Sequence, residues 1–181
     1  YEAHQEALNV LLVALRSGEG FIKVTGEVGT GKTLVCRKLM SLLDEEFVVA
    51  YIPNPQLNPN ALRAALADEL GIEFARNIGQ HRLLNIITKR LIELSSEKKR
   101  VVVLIDEAQA MPEETLEALR LLTNLETEKF KLMQVVMFGQ PELDQKLAQP
   151  ELRQLKQRIT FSYSLSQMTH DQVYQYVRHR V

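Results

Sequence analysis

Phe21-Ile22-Lys23-Val24-Thr25-Gly26-Glu27-Val28-Gly29-Thr30-Gly31-Lys32-Thr33 is a short β-rich run that breaks into glycines and hands over to helical periodicity from Lys32 to Leu43. Its last eight residues fit G-x-x-x-x-G-K-[ST], and a strand before with a helix after is the context that this spacing requires to hold phosphates. Glycines let the backbone curl with its N–H groups pointing inward, and the positive end of the following helix adds to them. Lys32 offers a point charge to the outer phosphates, and the Thr33 hydroxyl is a natural magnesium ligand. The candidate nucleotide-binding stretch is Gly26, Glu27, Val28, Gly29, Thr30, Gly31, Lys32, Thr33 and the next helical residue, Leu34. Cys36 lies one helical turn past Thr33 and reads as an inert packing residue.

Outward from this stretch, strands and helices alternate. Upstream, Ala3, Ala7, Leu8, Leu11, Leu12 and Leu15 recur at helical spacing and stop near Ser17-Gly18. Downstream, Phe47–Ile52 reads as a strand closed by Pro53-Asn54-Pro55, and Ala61–Leu70 as a helix ended by Gly71. Gln80–Leu94 repeats the helical pattern, and Val101–Ile105 is a continuous apolar run of the kind found in a central parallel strand. Pro112 is expected to open the next helix at a first-turn position, with Glu113, Glu114 and Glu117 near its positive end. Leu132–Phe138 gives a fourth strand, Pro141–Leu147 a short helix and Ile159–Tyr163 a fifth strand. The alternation predicts an open α/β sheet in one domain over residues 1–166, with Thr169–Val181 starting a helix of something further on.

The apolar run ends in Asp106-Glu107, which puts two carboxylates at the carboxyl edge of the sheet, where open α/β folds bind ligands. Asp106 suits a magnesium ion held through its water shell. Glu107 suits a water to be oriented or deprotonated for attack on the γ-phosphate. Gln140, in Phe138-Gly139-Gln140-Pro141, ends another strand on the same edge, and its amide can either reach the γ-phosphate or cap the turn before Pro141. Arg153 and Arg158 precede the fifth strand with no obvious use in the same site. One of them is a candidate finger delivered in trans to a neighbour's γ-phosphate; the alternative is a solvated basic helix face.

Composition narrows the function classes. With 45% hydrophobic and 25% charged residues the 181-residue chain has the makeup of a folded domain. A net charge of −1 gives no overall attraction to nucleic acid or anionic lipid, so such binding would need a local patch, for example around Lys98, Lys99 and Arg100. The single cysteine cannot make an internal disulfide, and His4, His81, His170 and His179 do not fall at zinc-site spacings, which suits a reducing cytoplasmic setting. Apolar runs of about five residues are far short of the roughly 20 a membrane-spanning helix needs. The start at Tyr1 without methionine and the stop inside a helical pattern read as a piece of a longer protein, whose other parts can carry membrane attachment.

Taken together, Gly26–Thr33, Val101–Gln109 with its Asp-Glu-Ala-Gln, Leu119–Leu132, Phe138–Leu143 and Leu152–Ile159 resemble the secretion-type AAA+ ATPases of the ExeA/GspA group. Within that group, YEAHQEAL, FIKVTGEVGTGKTLVCRKLM and YIPNPQLNP look closest to members serving type IV pilus biogenesis. The resemblance implies a P-loop NTPase of the AAA+ (ASCE) kind with a parallel five-stranded sheet in the order 5-1-4-3-2. It implies Gln140 at the sensor 1 position, Arg158 or Arg153 as the trans finger of a homo-oligomer, and a helical lid beginning near residue 167 and mostly absent here. It further implies ATP and magnesium as cofactors, hydrolysis that drives assembly of a cell-envelope machine, and partners among pilus or secretion proteins at the inner-membrane face. A DNA-dependent ATPase of the transposition-accessory type shares the same motifs and is the alternative, weakened by the near-neutral charge. A small-molecule kinase lacks a second constellation for its acceptor.

Overall fold

The structure, a computed structural model, describes residues 2–125 and 131–166. The expected lid from 167 onward and the middle of the Leu119–Leu132 segment lie outside the described residues. The chain runs α1 (Glu2–Arg16), β1 (Phe21–Gly26), α2 (Lys32–Leu42), β2 (Phe47–Ile52), α3 (Pro59–Glu69), α4 (Gln80–Ser96), β3 (Arg100–Ile105), α5 (Glu113–Thr123), β4 (Met133–Gly139), α6 (Glu142–Leu147), α7 (Arg153–Arg158) and β5 (Phe161–Leu165). Short 3-10 turns occupy Ala108–Ala110 and Pro150–Leu152. No helix among the described residues is long and apolar enough to cross a membrane.

All strand pairings are parallel and the order is β2-β3-β4-β1-β5, the implied 5-1-4-3-2 read from the other edge. Parallel strands send every carboxyl end to one edge, so the loops after Gly26, Ile52, Ile105 and Gly139 gather there. After β1 the chain jumps over β4 and β3 to the far strand β2, and such a reversal opens a crevice at the carboxyl edge.

The sheet separates two apolar layers. On one face, Ile22, Val24, Val102, Leu104, Val136 and Phe138 pack against α1 and α2. On the other, Phe21, Val101, Val103, Ile105, Val135 and Met137 pack against α3 to α7. Covered on both faces, β3 and β4 have no polar side to show, and this is why Val101–Ile105 reads as an unbroken apolar run. Each fully buried Val or Leu there contributes about 1.5–3 kcal/mol. The buried exception on β4 is Gln134, whose amide donates to Leu15 O and Glu19 O at 2.9 Å each and so ties the end of α1 to the sheet.

Two local expectations are corrected, and a third segment gains partners. Pro112 stands one residue ahead of α5, at its N-cap, and its carbonyl accepts from Thr115 N and Leu116 N. A proline fixes φ equally well just outside the first turn, and the helix then starts on the acidic pair Glu113 and Glu114. The fifth strand begins at Phe161 and runs to Leu165, two residues later than its alternation suggests, because α7 continues to Arg158 and Ile159 packs into the core beneath the helices. The Lys98-Lys99-Arg100 run is a clasp at the opposite edge of the sheet from the site. Lys99 donates to Glu45 O, and Arg100 pairs with Glu46 at 3.2 Å and donates to Leu15 O and Arg16 O.

Asn58 caps α3 by accepting from Ala61 N at 2.7 Å, with Pro59 opening the first turn. Asn58→Ala should cost about 1 kcal/mol in urea unfolding while Asn58→Gly costs about a few tenths; equal losses in the two variants would deny the cap.

Candidate functional site

The loop after β1 curls because Gly29 and Gly31 adopt φ of +86° and +87°, a region that other residues rarely enter. Gly26 is needed for space, since a Cβ there would lie 2.5 Å from Thr30 Oγ1, itself turned inward to donate to Glu27 O at 2.7 Å. Lys32 opens α2 and is 5% exposed, so its charge must find partners inside the fold. It finds them in the loop, donating to Gly26 O at 2.7 Å and Glu27 O at 3.0 Å. The ammonium therefore sits inside the curl, against the carbonyls of its first two residues. Glu27, Val28 and Gly29 form the exposed rim, and Leu34 is half-buried one residue beyond Thr33.

The two ends of the expected metal site meet. Thr33 Oγ1 donates to Asp106 Oδ2 at 3.0 Å, bringing the first turn of α2 to the end of β3, two strands away from β1. Asp106 is buried and its other oxygen accepts from Glu107 N at 3.0 Å. A hydroxyl and a carboxylate side by side are hard oxygen donors suited to magnesium. Among the described residues no three His, Cys, Asp or Glu side chains gather as a metal cage, so an ion here would complete its shell from phosphate and water, as magnesium does.

Glu107 is in the left-handed region, φ 53° and ψ 43°, which is costly for a residue with a Cβ and turns the chain sharply out of β3. Its carboxylate accepts from Gln109 Nε2 at 2.6 Å. Gln109 Oε1 in turn accepts from Gln140 N at 3.0 Å, which links the β3 and β4 loop ends. Gln140 itself has a half-buried side chain, and its carbonyl accepts from Leu143 N, so the turn before α6 is capped by its backbone and not by its amide.

The two arginines are not brought to this cluster. Arg158 donates to Asn124 Oδ1 and, at 3.3 Å, to Thr123 O and Oγ1, closing the carboxyl end of α5. Arg153 is exposed and has no hydrogen bond or ion pair among the described residues.

Three residues escaped the reading of the sequence. His4 is buried, and its Nε2 donates to Thr30 O at 2.6 Å, so the first turn of α1 lies on the phosphate loop. The approach is close enough that a Cβ on Gly31 would lie 2.5 Å from the ring's Cε1. Gln109 was visible only as a letter in Asp-Glu-Ala-Gln. Lys146, on α6, donates to Gln109 O at 3.1 Å and to Met111 O.

A family model described as an AAA domain matches residues 15–147. General secretion pathway protein A of Aeromonas hydrophila is 49% identical over 180 residues, which take in 99% of this chain and 33% of that protein. The chain thus spans about a third of the length of this relative. Among solved structures, the Aeropyrum pernix ORC2 protein in its ADP form aligns with a TM-score of 0.76 at 17% identity, over 99% of this chain and 51% of that one. Cdc6p from Pyrobaculum aerophilum aligns at 0.76 and 22% identity, over 97% of this chain and 48% of the other. At such identities the likeness shows the fold: a P-loop NTPase sheet with its flanking helices.

Cys36 is fully buried in the layer under α2, and burial, with Asp106 close by and Arg37 opposing, pushes its thiol up to about 12. At pH 8 its alkylation by iodoacetamide should be on the order of 10³-fold slower in the folded protein than in urea, from the lost thiolate fraction alone. Comparable rates in the two states would contradict this packing.

Proposed function

We propose that this chain, which belongs to the AAA domain family, binds magnesium-ATP and hydrolyses it to drive the assembly of a cell-envelope machine. The observation that carries the reading is the 3.0 Å bond between Thr33 Oγ1 and Asp106 Oδ2, which joins the phosphate loop to the acidic strand end. The inward N–H groups of Gly26–Thr33 and the Lys32 ammonium hold the phosphates, with Leu34 continuing the stretch. Thr33 and Asp106 would hold a magnesium ion, whose charge would offset the negative charge that develops on the outer phosphates. Glu107 orients and deprotonates the attacking water, and the Gln140 amide meets the terminal phosphate.

For the oligomer, we assign the trans finger to Arg153. Arg158 is engaged at the end of α5, whereas Arg153 is exposed and uncommitted among the described residues. Hydrolysis then changes the contacts between neighbouring copies, because the charge that holds Arg153 leaves with the γ-phosphate.

The machine is assigned from likeness to the secretion relative and, more finely, from Tyr1–Leu8, Phe21–Met40 and Tyr51–Pro59, which resemble MshM, the ATPase of mannose-sensitive haemagglutinin pilus biogenesis. Its partners are then pilus or secretion proteins, and its place the cytoplasm at the inner-membrane face. The Lys98-Lys99-Arg100 clasp leaves no support for a DNA partner at that edge, since two of its three cations are bonded within the fold.

The reading is tested by nucleotide binding and turnover in the full-length protein. Lys32→Ala should abolish magnesium-ATP binding. Glu107→Gln should bind ATP normally and lose turnover by at least about 10²-fold. In a concentration series, wild-type turnover per subunit should rise with protein concentration. Arg153→Ala should lose roughly 10³-fold of the rate reached at the top of the series, and Arg158→Ala should instead lower the melting temperature. ATP binding indifferent to Lys32 would end the nucleotide assignment; strong stimulation of wild type by DNA would end the assembly assignment.

A further inference from the structure

Glu107 has one hydrogen-bond partner for its carboxylate among the described residues, and that partner is Gln109. A left-handed residue between a strand and a 3-10 turn has no regular element to aim its side chain. The direction of the carboxylate therefore depends on what holds its oxygens.

Gln109 is itself held in an unambiguous orientation. The Gln140 backbone N–H can only donate, so the Gln109 amide must turn its oxygen toward it, at 3.0 Å. The amide nitrogen then faces Glu107 Oε2, at 2.6 Å, where only a donor satisfies a carboxylate. Lys146 fixes the backbone of the same residue by donating to Gln109 O and Met111 O, anchoring the turn to α6. The end of β4 is shaped around this crossing. A Cβ on Gly139 would lie 3.1 Å from Gln109 Oε1 and 2.9 Å from Leu143 Cδ2, so a side chain here would crowd the amide and the end of Leu143.

We propose that Gln109 is a positioning residue for ATP hydrolysis: its amide joins the backbone of Gln140 to the carboxylate of Glu107, so that the strand end that meets the terminal phosphate also aims the group that activates water. The proposal rests on the roles assigned above to Glu107 and Gln140. When the Gln140 side chain engages a γ-phosphate, any shift of its backbone N–H is passed through one rigid amide to Glu107. Gln109 touches neither phosphate nor water, and its effect is confined to the geometry of the carboxylate.

Three substitutions in the full-length protein separate this from a merely structural tie. Gln109→Glu keeps the acceptor for Gln140 N–H and replaces the donor by a repelling carboxylate. Gln109→Met keeps the length and removes both bonds. Gly139→Ala leaves Gln109 chemically intact and crowds its amide oxygen. All three should keep the Kd for a non-hydrolysable ATP analogue within about threefold of wild type. All three should lower kcat by about 10- to 100-fold, or about 1.4–2.7 kcal/mol. The double variant Gln109→Met, Glu107→Gln should be no slower than Glu107→Gln alone, since the two act as one unit. Unchanged kcat in Gln109→Glu, additive losses in the double variant, or a loss of turnover matched by the loss of nucleotide binding would overturn the proposal. If Glu107→Gln alone keeps full turnover, the site reading fails and takes the inference with it; if Glu107→Gln is inactive and Gln109→Glu is not, the inference alone fails.

Discussion

The bond between Thr33 and Asp106 at 3.0 Å is the contact on which the rest of the site depends. It joins two segments 73 residues apart and crosses the width of β4, so it exists only if β1, β4 and β3 lie side by side in this register, with Ile105 beside Met137 and Met137 beside Lys23. A sheet slipped by one residue would turn Asp106 to the other face and separate it from Thr33. The apolar layers on both faces of β3 and β4 give that register its energy, because every one-residue slip would exchange their side chains between two differently packed layers. The core thus serves the site by fixing where two oxygen atoms meet.

Lys32 shows how the loop and the fold share an electrostatic cost. An ammonium at 5% exposure is expensive unless bonded, and the carbonyls of Gly26 and Glu27 supply the bonds. Those carbonyls face inward only because the glycines at 29 and 31 have turned the chain back on itself. His4 steadies the same bend from outside by bonding the carbonyl of Thr30. The positive charge that a polyphosphate would meet is therefore already in place and already desolvated, which lowers the reorganisation needed on binding.

Much of this was legible in the chain. The glycine bend between β1 and α2 was, because its pattern lies in eight consecutive residues with a strand before and a helix after. Asp106-Glu107 was, because a five-residue apolar run must end at an edge and parallel strands share one. The strand order was not readable from periodicity and came with the family resemblance. His4, Gln109 and Lys146 were not readable either. Their bonds span 26, 31 and 37 residues, and no local pattern distinguishes a histidine on an amphipathic helix from one lying on a loop. Pro112 and Ile159 were misplaced by one or two residues for a related reason: local preference allows both positions, and packing of α5 and α7 chooses between them. The basic run at 98–100 was legible as charge and not as a clasp, since its partners Glu45, Glu46, Leu15 and Arg16 come from two other segments.

The left-handed backbone at Glu107 explains why the site needs a network instead of a single well-placed acid. If β3 simply continued, residues 106 and 107 would point to opposite faces of the sheet and only one could serve the crevice. The reversal at Glu107 breaks that alternation and allows a second carboxylate at the same strand end, at a backbone cost of order 1–3 kcal/mol. That cost is offset by fixed bonds around the turn: Asp106 Oδ1 to the Glu107 N–H, Gln109 to the Glu107 carboxylate, and Lys146 to the turn's outer carbonyls. It follows that α6, although it holds none of the proposed phosphate or metal ligands, belongs to the site in the energetic sense, because Lys146 on that helix bonds the carbonyls of Gln109 and Met111 in the turn that follows Glu107.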